Sequence, residues 1–213
     1  DIMKDWKAQS EKAYEAMAPS TPGGYDAFAR TFREKFALAL AAEVPEKGSI
    51  ESRRDEPVKL STATFTSVAI GRAGRDDRII LESLNSGNLS VWNVLVAAPA
   101  SLGGLVAEGG KAPAAWAGAL LASGHRVYRI RGYANGENAI PQKTYESWSW
   151  TRAYNPDNRM LAIQDIVTAI EFITITYPDR PLQVIGLGDC GLSAALACAV
   201  SGKADRVTVD LNG

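Results

Sequence analysis

The chain has 213 residues, which is enough for one domain with a sizeable core. Hydrophobic residues make up 46% of it and charged residues 22%, as in ordinary globular proteins. Lys and Arg (23) nearly balance Asp and Glu (24), so no field of one sign favours nucleic acid or an anionic membrane surface as a partner. There is also no apolar run of about 18 residues that would predict a membrane span.

The first residue and the cysteines bear on the compartment in which the protein is found. The chain begins with Asp1 rather than Met, so a removed leader, and with it a soluble periplasmic or secreted protein, is compatible with the sequence. Cys190 and Cys198 are the only cysteines, and they lie on one predicted helix. About 12 Å of helical rise separates them, which is too far for a disulfide.

In the first part of the chain, the spacing of the apolar residues predicts helices. Residues 2–19 and 25–42 both have the period of amphipathic helices, and the Pro-Gly-Gly at 22–24 separates them. A charged connector follows at 43–56. We therefore expect a helical N-terminal extension and connector over residues 1–56, packed against a main domain at 57–213.

Beyond residue 57 the pattern becomes that of a sheet with helices. Segments 58–65 with 68–70, and 78–84, predict an antiparallel hairpin, and the nearly all-apolar run 91–98 predicts a strand covered on both faces. The later predicted elements are a helix at 113–122, a strand at 126–130, a loop at 131–155, a helix at 156–177, a strand at 182–185, a helix at 193–200 and a strand at 206–211. This order predicts an α/β domain with a mostly parallel sheet.

The candidate binding and catalytic residues lie in and around the turn that follows the strand at 182–185. Gly186, Gly188 and Gly191 fit G-x-G-x-x-G between a strand and a helix, and Asp210 ends the next strand about 20 residues on. This turn resembles the cofactor-binding turn of medium-chain alcohol dehydrogenases, with NAD or NADP on the three glycines and the ribose on Asp210. However, those enzymes need an upstream catalytic domain, commonly with Cys and His zinc ligands. Here no cysteine precedes the turn, and His125 is the only histidine.

The same turn also fits the G-x-nucleophile-x-G elbow of α/β-hydrolases. The stretches that carry this second pattern are the helix containing Trp6, residues 70–77, Tyr154-Asn155 with Arg159 ahead of residues 164–169, residues 184–188, and residues 210–213. In them the sequence resembles the acetyl xylan esterase-like branch of the α/β-hydrolases, over most of the chain. The resemblance implies an α/β-hydrolase sheet that stops after about its sixth strand, and thus an incomplete domain.

The resemblance also assigns positions in the elbow. The nucleophilic serine would be residue 188, which is Gly188 here and has no side chain for attack. Asp189 would supply one oxyanion N–H and the loop at 99–101 the other. Cys190 is the neighbouring thiol, but burial in the following small-residue helix is the favoured interpretation. The Asp189 side chain is expected to cap that helix.

A Ser-His-Asp triad cannot be assembled from these residues. His125 precedes its strand, whereas sites in open α/β sheets lie at the carboxyl ends of strands. Asp210 does lie at such an end and could serve as an acid. The sequence therefore predicts a relative of carboxylic ester (acetyl xylan) esterases that is weak or inactive alone, with no metal and no cofactor.

A third interpretation is a non-catalytic scaffold or subunit. A second polypeptide or a C-terminal segment would then complete the sheet, because an exposed edge strand invites pairing. Trp148, Trp150 and Tyr154 lie on the loop after the predicted fourth strand, on the site edge, where aromatic rings could stack on a carbohydrate ester.

Overall fold

The computed structural model describes residues 2–75, 77–87, 91–131 and 157–211. The helices are α1 (Ile2–Met17), α2 (Pro22–Ala39), α3 (Ala115–Ala122), α4 (Asn158–Thr176) and α5 (Cys190–Ser201), with a 3-10 turn at Ala100–Leu102. The strands are β1 (Ile50–Arg54), β2 (Val58–Lys59), β3 (Thr64–Arg72), β4 (Ile79–Asn85), β5 (Asn93–Ala97), β6 (Arg126–Arg131), β7 (Leu182–Gly186) and β8 (Arg206–Val209).

All eight strands form one twisted sheet with the order β1-β3-β4-β6-β5-β7-β8, and β2 pairs with β3. Strands β6, β5, β7 and β8 are parallel neighbours, whereas the pairings of β1, β2, β3 and β4 are antiparallel. The sheet described here is therefore mixed, with a larger antiparallel part than the expected hairpin. Because β3 is antiparallel to β4 and β4 is antiparallel to β6, strands β3 and β6 run in the same direction.

Helices cover both faces of the parallel part. Along β5, Leu95 and Ala97 belong to the core shared with α4 and α5, whereas Val94 and Val96 belong to the core shared with α3. Every residue of β5 is buried, as the apolar run predicted. A helical layer on each face of a central strand is the arrangement that buries such a strand completely.

The N-terminal helices form as predicted but differ in how they pack. No residue of α1 is buried, and it touches α2 through the rings of Tyr14 and Phe32, whose centroids lie 5.9 Å apart. Helix α2 lies against α5, where Arg33 Nε donates to the Ala199 carbonyl at 3.4 Å. Of these two helices, α2 is thus the one that contacts the helical layer on the sheet.

Several predicted elements differ from the structure. The segment expected as a connector at 43–56 contains β1, which pairs along its whole length with β3. The strand expected at 58–65 is interrupted, because Leu60 N donates to the Ala63 carbonyl at 2.8 Å and turns the chain between β2 and β3. The aromatic loop with Trp148, Trp150 and Tyr154 lies outside the described residues, as do Asp76 and residues 212–213.

Among the helices described, none is both long enough and apolar enough to cross a membrane.

Candidate functional site

The elbow turn lies at the point where the strand order of the sheet reverses. From β5 the chain moves to β6 on one side, and then returns past β5 to β7 on the other side. In open α/β sheets, ligands bind in the crevice at the carboxyl ends of the strands at such a switch point. The segments there are the loop after β5, which begins at Ala98, and the turn after β7, which begins at Leu187. The fold therefore places the elbow where a site is expected.

The backbone of the turn is sharply folded. Leu187 N donates to the Ala97 carbonyl at 2.9 Å, which extends the pairing of β7 with β5 by one residue. Gly188 follows with a φ of +56°, in the left-handed region that side chains rarely adopt. Helix α5 then begins at once, as Gly191 N donates to the Gly188 carbonyl at 2.9 Å. The connection is thus a sharp strand-turn-helix turn with Gly188 at its apex.

The two outer glycines allow close packing. A Cβ on Gly186 would lie 2.6 Å from the Cβ of Ala194, so α5 rests directly on β7. A Cβ on Gly191 would lie 1.9 Å from the carbonyl oxygen of Asp210. Each glycine of the motif therefore has a structural reason in the fold: two close approaches and one left-handed φ.

The residues on either side of the apex have different environments. Asp189 is exposed and stands just before the first residue of α5, but its side chain does not cap the helix. Its φ of −59° and ψ of −17° are already helical, whereas a capping residue is extended, which is why the expected cap does not form. Cys190 is 5% exposed and sits in the core cluster of α4 and α5. A thiol so enclosed is poorly placed to attack a substrate.

Asp210 and His125 lie at opposite edges of the sheet. Asp210 follows β8 at the carboxyl edge, is exposed, and donates its N–H to the Gly186 carbonyl at 2.8 Å. His125 precedes β6 at the amino edge, is half-buried, and donates its backbone N–H to the Leu120 carbonyl at 3.2 Å. The structure thus brings Asp210 to the elbow and leaves the single histidine on the far side of the sheet.

The loop after β5 could supply the second oxyanion donor. Pro99 has no N–H, so the donors that residues 99–101 offer are the amides of Ala100 and Ser101. Both open the 3-10 turn, where the first N–H groups have no partner inside the turn. A backbone donor in this loop therefore stays a prediction that the local geometry allows.

Sequence reasoning gave no role to a charged cluster at the same edge. Arg72, at the carboxyl end of β3, bonds through Nε to Asp77 Oδ2 at 2.5 Å and through Nη1 to Glu43 Oε2 at 2.9 Å. Asp165, in the first half of α4, interacts electrostatically with Arg72 and Asp77. The pKa of Asp165 is raised to about 7, chiefly by burial and also by the Asp77 carboxylate, while Arg72 opposes the rise. Arg72, Asp77 and Asp165 fall in stretches 70–77 and 164–169, which carry the resemblance, but nothing in the sequence indicated that they meet.

We expect this cluster to make stability fall as pH rises. The pKa of Asp165 is raised from 3.8 to about 7 in the folded protein, so between about pH 4 and 7 the folded state holds a proton that the unfolded state releases. Replacing Asp165 by asparagine removes that release. At pH 8 the variant should be more stable by about 1–2 kcal/mol, which is less than the full shift because the side chain keeps some contact with solvent.

The measurement is urea denaturation at several pH values between 5 and 8. The advantage of Asp165→Asn should shrink towards pH 5, while Asp179→Asn, at an exposed carboxylate after α4, serves as the matched control. An advantage of the same size at every pH would show that the Asp165 carboxyl does not titrate in this range.

No group of three or more His, Cys, Asp and Glu side chains that could hold a metal ion occurs within residues 2–75, 77–87, 91–131 and 157–211.

Comparison with known proteins gives its matches at the level of structure. No protein-family model matches the sequence, and no curated protein matches it at a significant level. A Bacteroides fragilis protein provisionally described as an acetyl xylan esterase superposes with a TM-score of 0.63 at 8% identity, over 88% of this chain and 53% of that one. A glucuronoyl esterase from Solibacter usitatus superposes with a TM-score of 0.53 at 15% identity, over 82% and 56%. A promiscuous esterase from a marine bacterial metagenome gives 0.50 at 14% identity, over 87% and 57%.

These likenesses show the fold. The chain has an α/β-hydrolase-like architecture, which it shares with proteins described as an acetyl xylan esterase, provisionally, and a glucuronoyl esterase. It spans little more than half the length of the solved structures it matches.

Proposed function

We propose that this chain is an esterase-related α/β-hydrolase module that by itself hydrolyses carboxylic esters weakly or not at all. The observation that carries the proposal is the apex of the elbow. Gly188 stands between β7 and α5 with a φ of +56°, at the position that the resemblance to esterases assigns to the nucleophile, and a hydrogen atom cannot attack a carbonyl. The surrounding backbone keeps the elbow shape, which supports binding of an ester carbonyl without its cleavage.

The substrate class we propose is an acylated carbohydrate. The support is the fold shared with proteins described as acetyl xylan and glucuronoyl esterases, together with the position of the elbow at the switch point. Asp210, which reaches the same edge, is the residue we propose as a remaining acid. The histidine of a triad would have to come from elsewhere, because His125 lies at the opposite edge.

A partner or a further segment that completes the sheet is part of this proposal. Strand β8 is the outermost strand of the described sheet, and Val207 on it is 43% exposed. A strand edge of this kind is a template for pairing with another strand. Copurification of a second polypeptide, or a longer native mass, would support this part.

The dinucleotide interpretation has less support. Gly186, Gly188 and Gly191 each have a reason in backbone conformation or packing that needs no nucleotide. The dinucleotide interpretation predicts that NAD quenches tryptophan fluorescence in a saturable way and that Asp210→Ala abolishes this quenching.

The test of the proposal is hydrolysis of p-nitrophenyl acetate by the isolated chain. We expect wild type and Cys190→Ala to show the same slow rate, without saturation, because neither has an accessible nucleophile at the elbow. Gly188→Ser should give no large gain, since no histidine lies on that edge in the described residues. Circular dichroism confirms that each variant is folded.

One result of the same assay would contradict the proposal. Saturable turnover by the wild type that Cys190→Ala abolishes would show that the buried thiol is a working nucleophile and would overturn the proposal.

A further inference from the structure

A cavity of about 180 Å³ lies on the opposite edge of the sheet from the elbow. It is bounded by the first residues of β3 and β6, the last residues of β4, and the C-terminal end of α4 with Tyr177. This volume is many times that of a single water and smaller than a drug-sized pocket, so it suits a ligand of a few heavy atoms.

Polar side chains line the cavity in rows across three strands. Thr66 stands opposite Ser83, and Ser83 stands opposite Tyr128. In the next row, Thr64 stands opposite Asn85. Residues directly opposite in neighbouring strands point to the same face, so these side chains converge on the face that α4 covers. Of these side chains Tyr128 is buried and the other four are half-buried, so the polar rows run from the core to the cavity opening.

Two buried polar atoms in the cavity wall, Arg126 Nε and Tyr128 Oη, make no hydrogen bond of ordinary length to a described residue, although the Arg126 and Tyr177 side chains lie close enough to influence the Tyr128 hydroxyl. Both amide atoms of Asn93, which pairs with Arg126 but does not line the cavity, are unpaired as well. Tyr128 is 4% exposed and Asn93 is fully buried. Buried polar groups are nearly always paired, and leaving one unpaired costs about 1–3 kcal/mol. The two atoms in the cavity wall point to an occupant that supplies their missing partners.

The charged side chains in the cavity wall indicate which kind of ligand it would bind. Arg54 and Arg126 line the cavity, and none of the described residues that line it carries a carboxylate. Arg126 also lies over the ring of Tyr177, with its guanidinium carbon 4.3 Å from the ring centroid, which holds the group at the cavity. Burial raises the pKa of the Tyr128 phenol and Arg126 partly opposes this, so at neutral pH the hydroxyl is a donor. Two guanidinium groups with hydroxyl donors form the recognition set of an oxyanion.

We propose that this cavity binds a small carboxylate or phosphate, with Arg54, Arg126 and Tyr128 as its main donors. Arg54 is exposed and stands at the entrance, opposite Val68 in the β1–β3 register. Phe172 and Tyr177 provide an apolar wall for a short organic part of the ligand. The site lies at the amino edge of the parallel strands, so it is separate from the elbow and does not depend on the proposed esterase relation.

The experiment is calorimetric and thermal titration of the full chain with sodium phosphate and, separately, sodium acetate, each compared with sodium chloride at equal ionic strength. We expect saturable binding and a higher melting temperature with at least one oxyanion, and the stronger of the two identifies the ligand class. Arg54→Gln and Tyr128→Phe should each weaken binding about tenfold, the effect of losing one hydrogen bond to a charged group.

Two controls keep the result interpretable. Arg53→Gln changes the neighbouring arginine of β1, which points to the other face of the sheet, and should leave binding unchanged. Tyr128→Phe should leave the ligand-free protein close to wild type in stability, because the hydroxyl makes no hydrogen bond of ordinary length in the described structure. No saturable binding of either anion, equal binding by Tyr128→Phe, or a large loss of ligand-free stability in that variant would overturn the proposal and leave a merely hydrated cavity.

Discussion

Replacing Gly191 by alanine is expected to destabilise the protein by about 3 kcal/mol. The new Cβ would lie 1.9 Å from the carbonyl oxygen and 2.9 Å from the carbonyl carbon of Asp210. Both are backbone atoms at the end of β8, so no side-chain rotation relieves the overlap. Helix α5 would have to move away from the sheet, and the elbow at its N-terminus would move with it.

Chemical denaturation of wild type and variant measures this effect. The matched control is Gly118→Ala in α3, where a Cβ would meet no atom within 4 Å. There the substitution should be neutral or stabilising by up to about 1 kcal/mol, because alanine favours helix. Wild-type stability of Gly191→Ala would contradict the close approach of α5 and β8.

The second large effect is expected from Lys203→Ala, which should cost about 3 kcal/mol. Glu171 of α4 is completely buried, and its two carboxylate oxygens are held by Ser201 Oγ at 2.8 Å and by Lys203 Nζ. Without the lysine, a buried carboxylate keeps one hydroxyl partner and loses its counter-charge. The pair fastens the C-terminal end of α5 to α4, so its loss loosens the helix that follows the elbow.

The double variant Glu171→Leu with Lys203→Ala separates the lost charge pair from lost packing. Lys203 is 45% exposed and Glu171 is fully buried, so the single variant leaves an uncompensated buried carboxylate that leucine removes. The double variant should therefore be more stable than Lys203→Ala alone. Lys111→Ala, at an exposed lysine, should change the free energy of unfolding by less than about 0.5 kcal/mol. A double variant weaker than the single one would show that Glu171 contributes through other contacts.

The parts of the fold with strong hydrophobic periodicity were predictable. Strand β5 follows from its apolar run and α4 from its spacing, and both are buried as expected. Strand β1 was missed because its sequence, Ile50 to Arg54, is polar and almost entirely exposed, so it carries no alternation of apolar residues. Its place in the sheet comes from backbone pairing with β3, which no side-chain pattern reports.

The candidate site was only partly predictable. The glycine motif located the turn, but the reasons for its glycines are three-dimensional. Gly191 lowers helix propensity in sequence terms, and α5 nevertheless includes it because of the approach to Asp210. The Arg72 and Asp165 cluster joins segments that are distant in the chain, so the raised pKa of Asp165 comes from burial and neighbours that the sequence does not specify.

The left-handed φ of Gly188 sets the order in which a hydrolase could be engineered from this chain. Any L-amino acid introduced at the apex carries a conformational cost of about 1–2 kcal/mol before it does any chemistry. A serine installed first would therefore weaken the fold with no partner to activate it. Stabilising substitutions should come first, a histidine at the carboxyl edge second, and the nucleophile last.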